Sequence, residues 1–205
     1  EAVNEPIHHV FASENYGVPL AQALGARYVP VDPAREIFPV SASLIRKDPY
    51  TYWRYIPEAV RPYFTRRVAV VSRSEQLHPA ARLLASRFDT VFVNDYGRFV
   101  ASAKGVSLDP AQLRRAQHAA EEALARHARR LIFCERDCDD YEELARYDLI
   151  IAEGGDNAET NPRREESLRR VAEEGRPVLP FSELSDASLN ALTEAVRSQL
   201  LHPAG

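Results

Sequence analysis

Short apolar runs punctuate this chain, and their spacing changes character near Arg67. Beyond that point come Val68-Ala-Val-Val71, Thr90-Val-Phe-Val93, Leu131-Ile-Phe-Cys134, Asp148-Leu-Ile-Ile-Ala152 and Pro177-Val-Leu-Pro-Phe181, each continuously apolar and flanked by polar residues. Strands of a parallel sheet read this way because both of their faces are covered. The stretches between them are amphipathic. Asp109 to Arg130 carries Leu113, Ala116, Ala120, Leu124 and Ala128 at helical spacing, with Asp109 as N-cap, Pro110 in the first turn and Gln112 to complete a capping box. Asn161-Pro162 opens another helix that Gly175 closes, and Ser185-Asp186 opens a last one reaching about Leu201. Strands alternating with helices predict an α/β fold, a three-layer parallel-sheet sandwich over residues 67–205.

Residues 1–66 are patterned differently. His8-His-Val-Phe-Ala12 and Ala26-Arg-Tyr-Val-Pro-Val31 read as two strands around a short helix from Val18 to Leu24. A Pro- and aromatic-rich segment follows from Asp32 to Phe64, with helices bounded by Pro49, Pro57 and Pro62. Two strands are too few for an independent open sheet, so this part is expected either to pack onto the part that follows or to be the tail of a larger Rossmann-like unit. Tyr50, Trp53, Tyr55, Ile56, Tyr63 and Phe64 crowd one short stretch, and so much apolar surface is expected to pack against a partner surface.

Composition narrows the function classes. The 205 residues are 45% hydrophobic, enough for one sizeable core, and the net charge of -4 is dispersed along the chain, which gives no electrostatic footprint for nucleic acid. No apolar run is long enough to cross a bilayer and no signal-peptide pattern is present. Cys134 and Cys138 read as reduced thiols of a cytoplasmic protein. Their spacing fits no zinc motif, and Asp137, Asp139 and Asp140 are explained as acids at a helix start, so no metal is expected.

Candidate chemistry is concentrated in Phe38-Pro-Val-Ser-Ala-Ser-Leu-Ile-Arg-Lys-Asp-Pro49. Ser41, Ser43 and Arg46 fall where an apolar run meets a helix start, a recipe for holding phosphate; the plainer reading is a helix cap and a surface ion pair. Val40-Ser-Ala-Ser-Leu-Ile-Arg46 resembles the Ile-Ser-Gly-Thr-x-Ile-Arg signature with which nucleotidyltransferases bind ATP phosphates. Phe11-Ala-Ser-Glu-Asn-Tyr-Gly17, Val31-Asp-Pro-Ala-Arg35, Tyr52-Trp-Arg-Tyr-Ile-Pro57 and Val60-Arg-Pro-Tyr-Phe64 lie around it in an order that resembles the end of the nicotinamide mononucleotide adenylyltransferase module of NadR proteins. Those proteins couple this module to a ribosylnicotinamide kinase of P-loop fold. Val91-Phe-Val-Asn-Asp-Tyr-Gly-Arg98 is similar to the family's Glu-Tyr-Gly-Arg, and Leu131-Ile-Phe-Cys-Glu-Arg-Asp137 to its strand ending in Asp-Thr-Asp. The resemblance implies a nucleotidyltransferase-like part over 1–66 and a P-loop-kinase-like part over 67–205. It implies an ATP-phosphate role for Ser41, Ser43 and Arg46, and a vestigial kinase site at Asp95, Arg98 and Asp137. The bland reading of these last residues is polar groups at strand ends, with Gly97 serving a turn and Arg98 an ion pair.

The departures are as informative as the matches. The superfamily's His-x-Gly-His motif has no counterpart here, and His8-His9 does not supply it. Aligning back from Phe88 puts Val71 and Gln76 at the two glycines of the kinase's phosphate loop, Leu77 at its lysine and His78 at its metal-binding hydroxyl. The chain's only lysines are Lys47 and Lys104, and neither follows a glycine-rich turn. The family's lid has no match either, since Glu153-Gly-Gly-Asp-Asn157 leads almost directly into Asn161-Pro162. No residue is therefore assigned a catalytic role. The leading expectation is a NadR-like nucleotide-binding or regulatory pseudoenzyme of NAD metabolism. The alternatives are a fragment of an active adenylyltransferase and a pure interaction module. ATP or an NAD-related nucleotide remains open as ligand, as does a homo-oligomer; nucleic acid and membrane are not expected partners.

Overall fold

The structure is a computed structural model describing residues 5–75, 77–103, 108–154 and 161–201. Two units are distinguished within it, Glu1–Tyr55 and Ile56–Gly205. Gln76, Lys104 and the stretch Gly155 to Asn157, all named above, lie outside the described residues.

Unit 1 begins with β1 (His9–Ala12), α1 (Gly17–Ala23) and β2 (Arg27–Pro30), and the two strands pair in parallel to form a sheet of their own. Gly17 is required at the start of α1: a Cβ there would come within 2.4 Å of the Tyr28 ring and 2.8 Å of Ala12. Asp32, at a positive φ of 44°, then organises the following loop by accepting the backbone N–H groups of Glu36, Ile37 and Phe38. These bonds, that from Phe38 foremost, hold its carboxyl below the usual carboxylate value. Arg35 pairs with Glu14 and donates to the Val40 carbonyl, so the turn is closed on both sides. A six-residue helix, α2 (Ala42–Lys47), and a 3-10 turn at Trp53–Tyr55 complete the unit. Its two-stranded sheet leaves Phe11, Ile37 and Phe38 largely exposed.

Unit 2 is the predicted sandwich. A short helix, α3 (Arg61–Phe64), precedes β3 (Arg66–Val71), α4 (Ala80–Arg87), β4 (Phe92–Val93), α5 (Tyr96–Ser102) and α6 (Pro110–Ala125). Then come β5 (Leu131–Arg136), α7 (Tyr141–Leu144), β6 (Leu149–Glu153), α8 (Pro162–Glu173), β7 (Val178–Phe181) and α9 (Asp186–Val196), extended by a π-helical turn to Leu201. The sheet is wholly parallel, in the order β4-β5-β3-β6-β7. Alternate side chains feed two cores. Val68, Val70, Leu131, Phe133, Leu149 and Ile151 meet α4 and α9 on one face. Ala69, Val71, Ile132, Cys134, Ile150 and Ala152 meet α6, α8 and the α7 region on the other. This double burial is why the strands are apolar throughout instead of alternating.

The helix starts are set by the expected caps. Asp109 accepts from Gln112 in a reciprocal capping box, Asn161 from Arg163 and Arg164, and Ser185 from Ser188. Gly175, at a φ of 84°, ends the stretch after α8. The long helix stops at Ala125, five residues short of the expected Arg130, because the chain must reverse into β5 and does so with Arg130 at a φ of 76°. Ala120, Leu124 and Ala128 of the expected stripe pack on the core, and the adjoining Gln117, Glu121 and Ala125 are the most deeply buried residues of the helix.

Glu121 is fully buried and is the hub of a polar network. Its Oε1 accepts from Tyr147 OH at 2.6 Å, Gln117 Nε2 at 3.0 Å and Arg136 at 3.4 Å. Arg136 also donates to Glu143 at 3.2 Å, and His118 Nε2 lies 2.9 Å from the same carboxylate. Burial works against the charged form of Arg136, but Tyr147, Cys138, Glu121 and Glu143 around it raise its pKa above the usual value. Glu121 Oε2 and Arg136 Nε have no hydrogen-bond partner among the described residues, so the network depends on the pair staying together.

The aromatic segment is only partly covered. Trp53 and Ile56 are buried, whereas Tyr63 is 86% exposed and meets Phe64 edge-on with ring centroids 4.9 Å apart. Among the described residues, no helix is long and apolar enough to cross a membrane.

Two outcomes follow from this packing. Arg136→Leu strands the buried Glu121 carboxylate and is expected to lower unfolding free energy by about 3–5 kcal/mol in urea titrations. Replacing Glu121 and Arg136 together with apolar residues should recover much of that loss. Trp53, the single tryptophan, should be quenched weakly by acrylamide in the folded chain and strongly in urea; equal quenching in both states would show it to be exposed.

Candidate functional site

In a parallel α/β sheet, ligands bind beyond the carboxyl ends of the strands, where successive connections run in opposite directions. Here the chain leaves β3 toward β4 at one edge, while from β5 it crosses to β6 on the far side of β3. The crevice at that divergence is formed by Ser72–Ser74 after β3, Asn94 and Asp95 after β4, Glu135–Asp137 at the end of β5, and Glu153 at the end of β6.

The loop after β3 is organised around a carboxylate. Register Val71↔Ala152 brings Glu153 beside Ser72. Glu153 Oε2 accepts the backbone N–H of Arg73 at 2.9 Å, that of Ser74 at 3.2 Å and the Ser72 hydroxyl at 2.9 Å. Burial pushes this carboxyl's pKa up, but the donors from Arg73, Ser72 and Ser74 prevail and hold it below the ordinary value. The Arg73 side chain turns to the other flank, donating to Asp137 at 3.1 Å and Asp139 at 2.9 Å. Arg164, buried near the start of α8, pairs with the same two aspartates at 3.4 and 3.1 Å.

The alignment placed Leu77 at the lysine of a phosphate loop. Its side chain instead joins the apolar core that includes Val68 and Leu84. It sits in a turn, because α4 starts only at Ala80. His78 has a buried Nε2 without a hydrogen-bond partner among the described residues.

Asp95, Arg98 and Asp137 lie close together, and all three are engaged in bonds within the protein. Asp95 caps α5 by accepting from Arg98 N at 3.0 Å, and its other oxygen accepts the Asp137 N–H at 2.9 Å. Arg98 pairs with Glu135 and donates to the Ser72 carbonyl, while its guanidinium lies 3.9 Å from Asp137. Gly97 lies in the first turn of α5 rather than in a loop turn, and a Cβ there would meet Asp95 at 3.1 Å. Beside this cluster opens a cavity of about 490 Å³, lined by His78, Arg82, Phe92, Asp95, Arg98 and Glu135 among others. Arg82 is exposed at its mouth. A smaller cavity of about 190 Å³ lies on the other side of Asp95, toward Gln117, Arg136 and Cys138.

Ser41, Ser43 and Arg46 lie on α2 in unit 1. The Ser41 hydroxyl accepts from Leu44 N at 3.2 Å and so caps the helix, while Ser43 and Arg46 are exposed. Cys134 and Cys138 are free thiols, and burial pushes both pKa values up, most strongly for Cys134. Sequence reasoning missed Glu153, Arg73 and Arg164. The available signal was an acid at the end of the strand that pairs with β3, opposite a loop without glycine.

No protein-family model matches the chain. Over 91 residues, 43% of the chain, it is 36% identical to the trifunctional NAD biosynthesis/regulator protein NadR of Escherichia coli (strain K12), and equally to that of Salmonella typhimurium. The match spans only 22% of the length of those relatives. The fold is similar to that of NadR in complex with NR, with a TM-score of 0.68 and 19% identity over 99% of this chain and 70% of that one. It is also similar to NadR in complex with NAD and AMP-PNP, with a TM-score of 0.65 and 20% identity over 96% and 68%. The chain is thus NadR-like in sequence and has the α/β, P-loop-like architecture of those structures.

The bonds to Glu153 give stability a defined pH dependence. A carboxyl with a depressed folded pKa contributes stability above its unfolded value, here about 4.5, and loses it as pH falls through the folded value. Below pH 4.5 the wild type should therefore lose stability more steeply than Glu153→Gln, measured by thermal melting at stepped pH. Parallel profiles would show that this carboxylate is not bonded to the loop.

Proposed function

We propose that this chain is a nucleotide-binding or regulatory protein of NAD metabolism whose ribosylnicotinamide-kinase-like part, unit 2, does not transfer phosphate. One observation carries the reading: the Ser72–Ser74 loop holds a glutamate, and the position aligned with the catalytic lysine is a core leucine. Phosphoryl transfer depends on positioned cations and a metal-holding hydroxyl at that loop. Leu77 and His78 supply neither. Asp95, which would stand near an acceptor hydroxyl, is engaged by two backbone N–H groups.

Loss of transfer does not remove a place to bind. The larger cavity combines the Phe92 ring with the cationic or polar His78, Arg82 and Arg98 and with the carboxylates of Asp95 and Glu135. Such a lining suits a ribosylated heterocycle: the ring stacks, the carboxylates take sugar hydroxyls, and the cationic groups take a phosphate. ATP and NAD-related nucleotides are the ligands this reading favours, in a cytoplasmic protein without nucleic-acid or membrane partners.

A second reading is that the chain forms part of an adenylyltransferase, with Ser41, Ser43 and Arg46 serving ATP. The exposed Phe11, Ile37 and Phe38 of unit 1 favour it, because a two-stranded parallel sheet with an apolar surface is suited to be completed by further polypeptide.

Calorimetric titration with ATP, nicotinamide mononucleotide, nicotinamide riboside and NAD separates the two. The first reading expects saturable binding of at least one of them without magnesium-dependent turnover of ATP or nicotinamide riboside. Arg82→Ala should weaken that binding by about 1.5–3 kcal/mol while leaving the fold intact. Arg46→Ala should leave it unchanged; a comparable loss in this variant favours the second reading. Turnover that disappears in Asp95→Asn would sink the claim of inactivity.

A further inference from the structure

Three donors converge on a single oxygen of Glu153: two consecutive peptide N–H groups and one hydroxyl. Loops at strand ends hold a phosphoryl oxygen with the same donor set. Here the convergence needs no left-handed backbone, since none of the positive-φ residues falls in Ser72–Ser74. The glycines and lysine of a phosphate loop are absent, yet the local preference for an anion persists.

We infer that Ser72–Ser74 is a latent phosphate site and that Glu153 is its internal ligand, which keeps phosphate-bearing molecules out until it is withdrawn. The tether supports this. Glu153 ends a strand that pairs with β3 through Val68↔Leu149 to Val71↔Ala152, so the carboxylate is delivered at a high effective concentration that a free anion must outcompete. Charge supports it as well. Glu153, Asp137, Asp139, Asp95 and Glu135 set five carboxylates against the guanidiniums of Arg73, Arg98 and Arg164 around the crevice. A phosphate dianion arriving there is repelled while Glu153 remains ionised. Once Glu153 leaves, the Arg73 and Ser74 N–H groups and the Ser72 hydroxyl lose the carboxylate they share, Ser74 N–H keeping its bond to Ser72 Oγ at 3.1 Å, and the Arg73 guanidinium, held by Asp137 and Asp139, lies on the same loop. The inference concerns the anion chemistry of the loop and holds whichever ligand the neighbouring cavity takes.

The test uses the full chain with inorganic phosphate and pyrophosphate as probes, so it is independent of any NAD-related ligand. Backbone amide resonances of Arg73 and Ser74 are followed in the wild type, Glu153→Ala and Glu153→Gln. The wild type should show no saturable shift. Glu153→Ala should bind pyrophosphate at least about tenfold more tightly, a difference of about 1.4 kcal/mol, with shifts centred on those two amides. Glu153→Gln retains an acceptor oxygen without charge and should fall between them. Equal affinity in the wild type and Glu153→Ala would overturn the inference, as would saturation of the wild-type loop with Glu153 in place. If Glu153→Ala does not fold, Glu153→Gln decides: its melting temperature should rise with pyrophosphate more than that of the wild type, and an equal rise overturns the proposal.

Discussion

Peptide N–H groups that converge at the end of a buried strand require an acceptor, and at the end of β3 that requirement is met by the Glu153 carboxylate. Much of the crevice follows from this bond. Glu153 rises from the neighbouring strand to hold the loop's backbone, while the Arg73 side chain reaches the end of β5, where Asp137 and Asp139 hold it. Those aspartates also receive Arg164 from α8, so three separate connections are tied together across the carboxyl edge of the sheet. A phosphate ion would have imposed a similar order from outside. The chain imposes it with its own side chains.

A second polar cluster, built on Glu121 and Arg136, lies on the face of the sheet covered by α6. A fully buried ion pair is seldom the most stabilising solution for a core, but separating the two groups is costly, so the pair fixes how α6 docks on β5. It also accounts for the polar residues buried beside the apolar stripe of α6. A helix with Glu121 and Gln117 facing inward can dock only where a guanidinium and a tyrosine hydroxyl wait for them.

The sheet was legible in the sequence because its signal is local. Continuous apolar runs give strands, Asp109, Asn161 and Ser185 give helix starts, and alternation gives the layered α/β architecture. That Arg98 makes an ion pair was readable in the sequence, but its partner Glu135 and the bond from Asp137 N–H to Asp95 were not, because both arise between elements distant in sequence. Glu153 is the clearest case. It lies 80 residues from Arg73 in the chain, and only the pairing of β6 with β3 makes the two neighbours. Ala120, Leu124 and Ala128 of the expected stripe do pack on the core, but the neighbouring buried glutamate is recognisable only once Arg136 and Tyr147 are known to face it. In unit 1, Ser41 combines both experiences: its place at a helix start was readable, and its hydroxyl is engaged as a cap.

Leu77 sets the direction in which such a loop can change. A lysine at this position would carry its ammonium into the apolar cluster with Val68 and Leu84, where an unpaired charge is strongly disfavoured. To reach the crevice instead, the turn before α4 would have to be rebuilt, and the carboxylate on the Arg73 and Ser74 amides would have to go as well. No single substitution does all of this. The residue at this turn thus answers to the core beneath it before it answers to the crevice beside it.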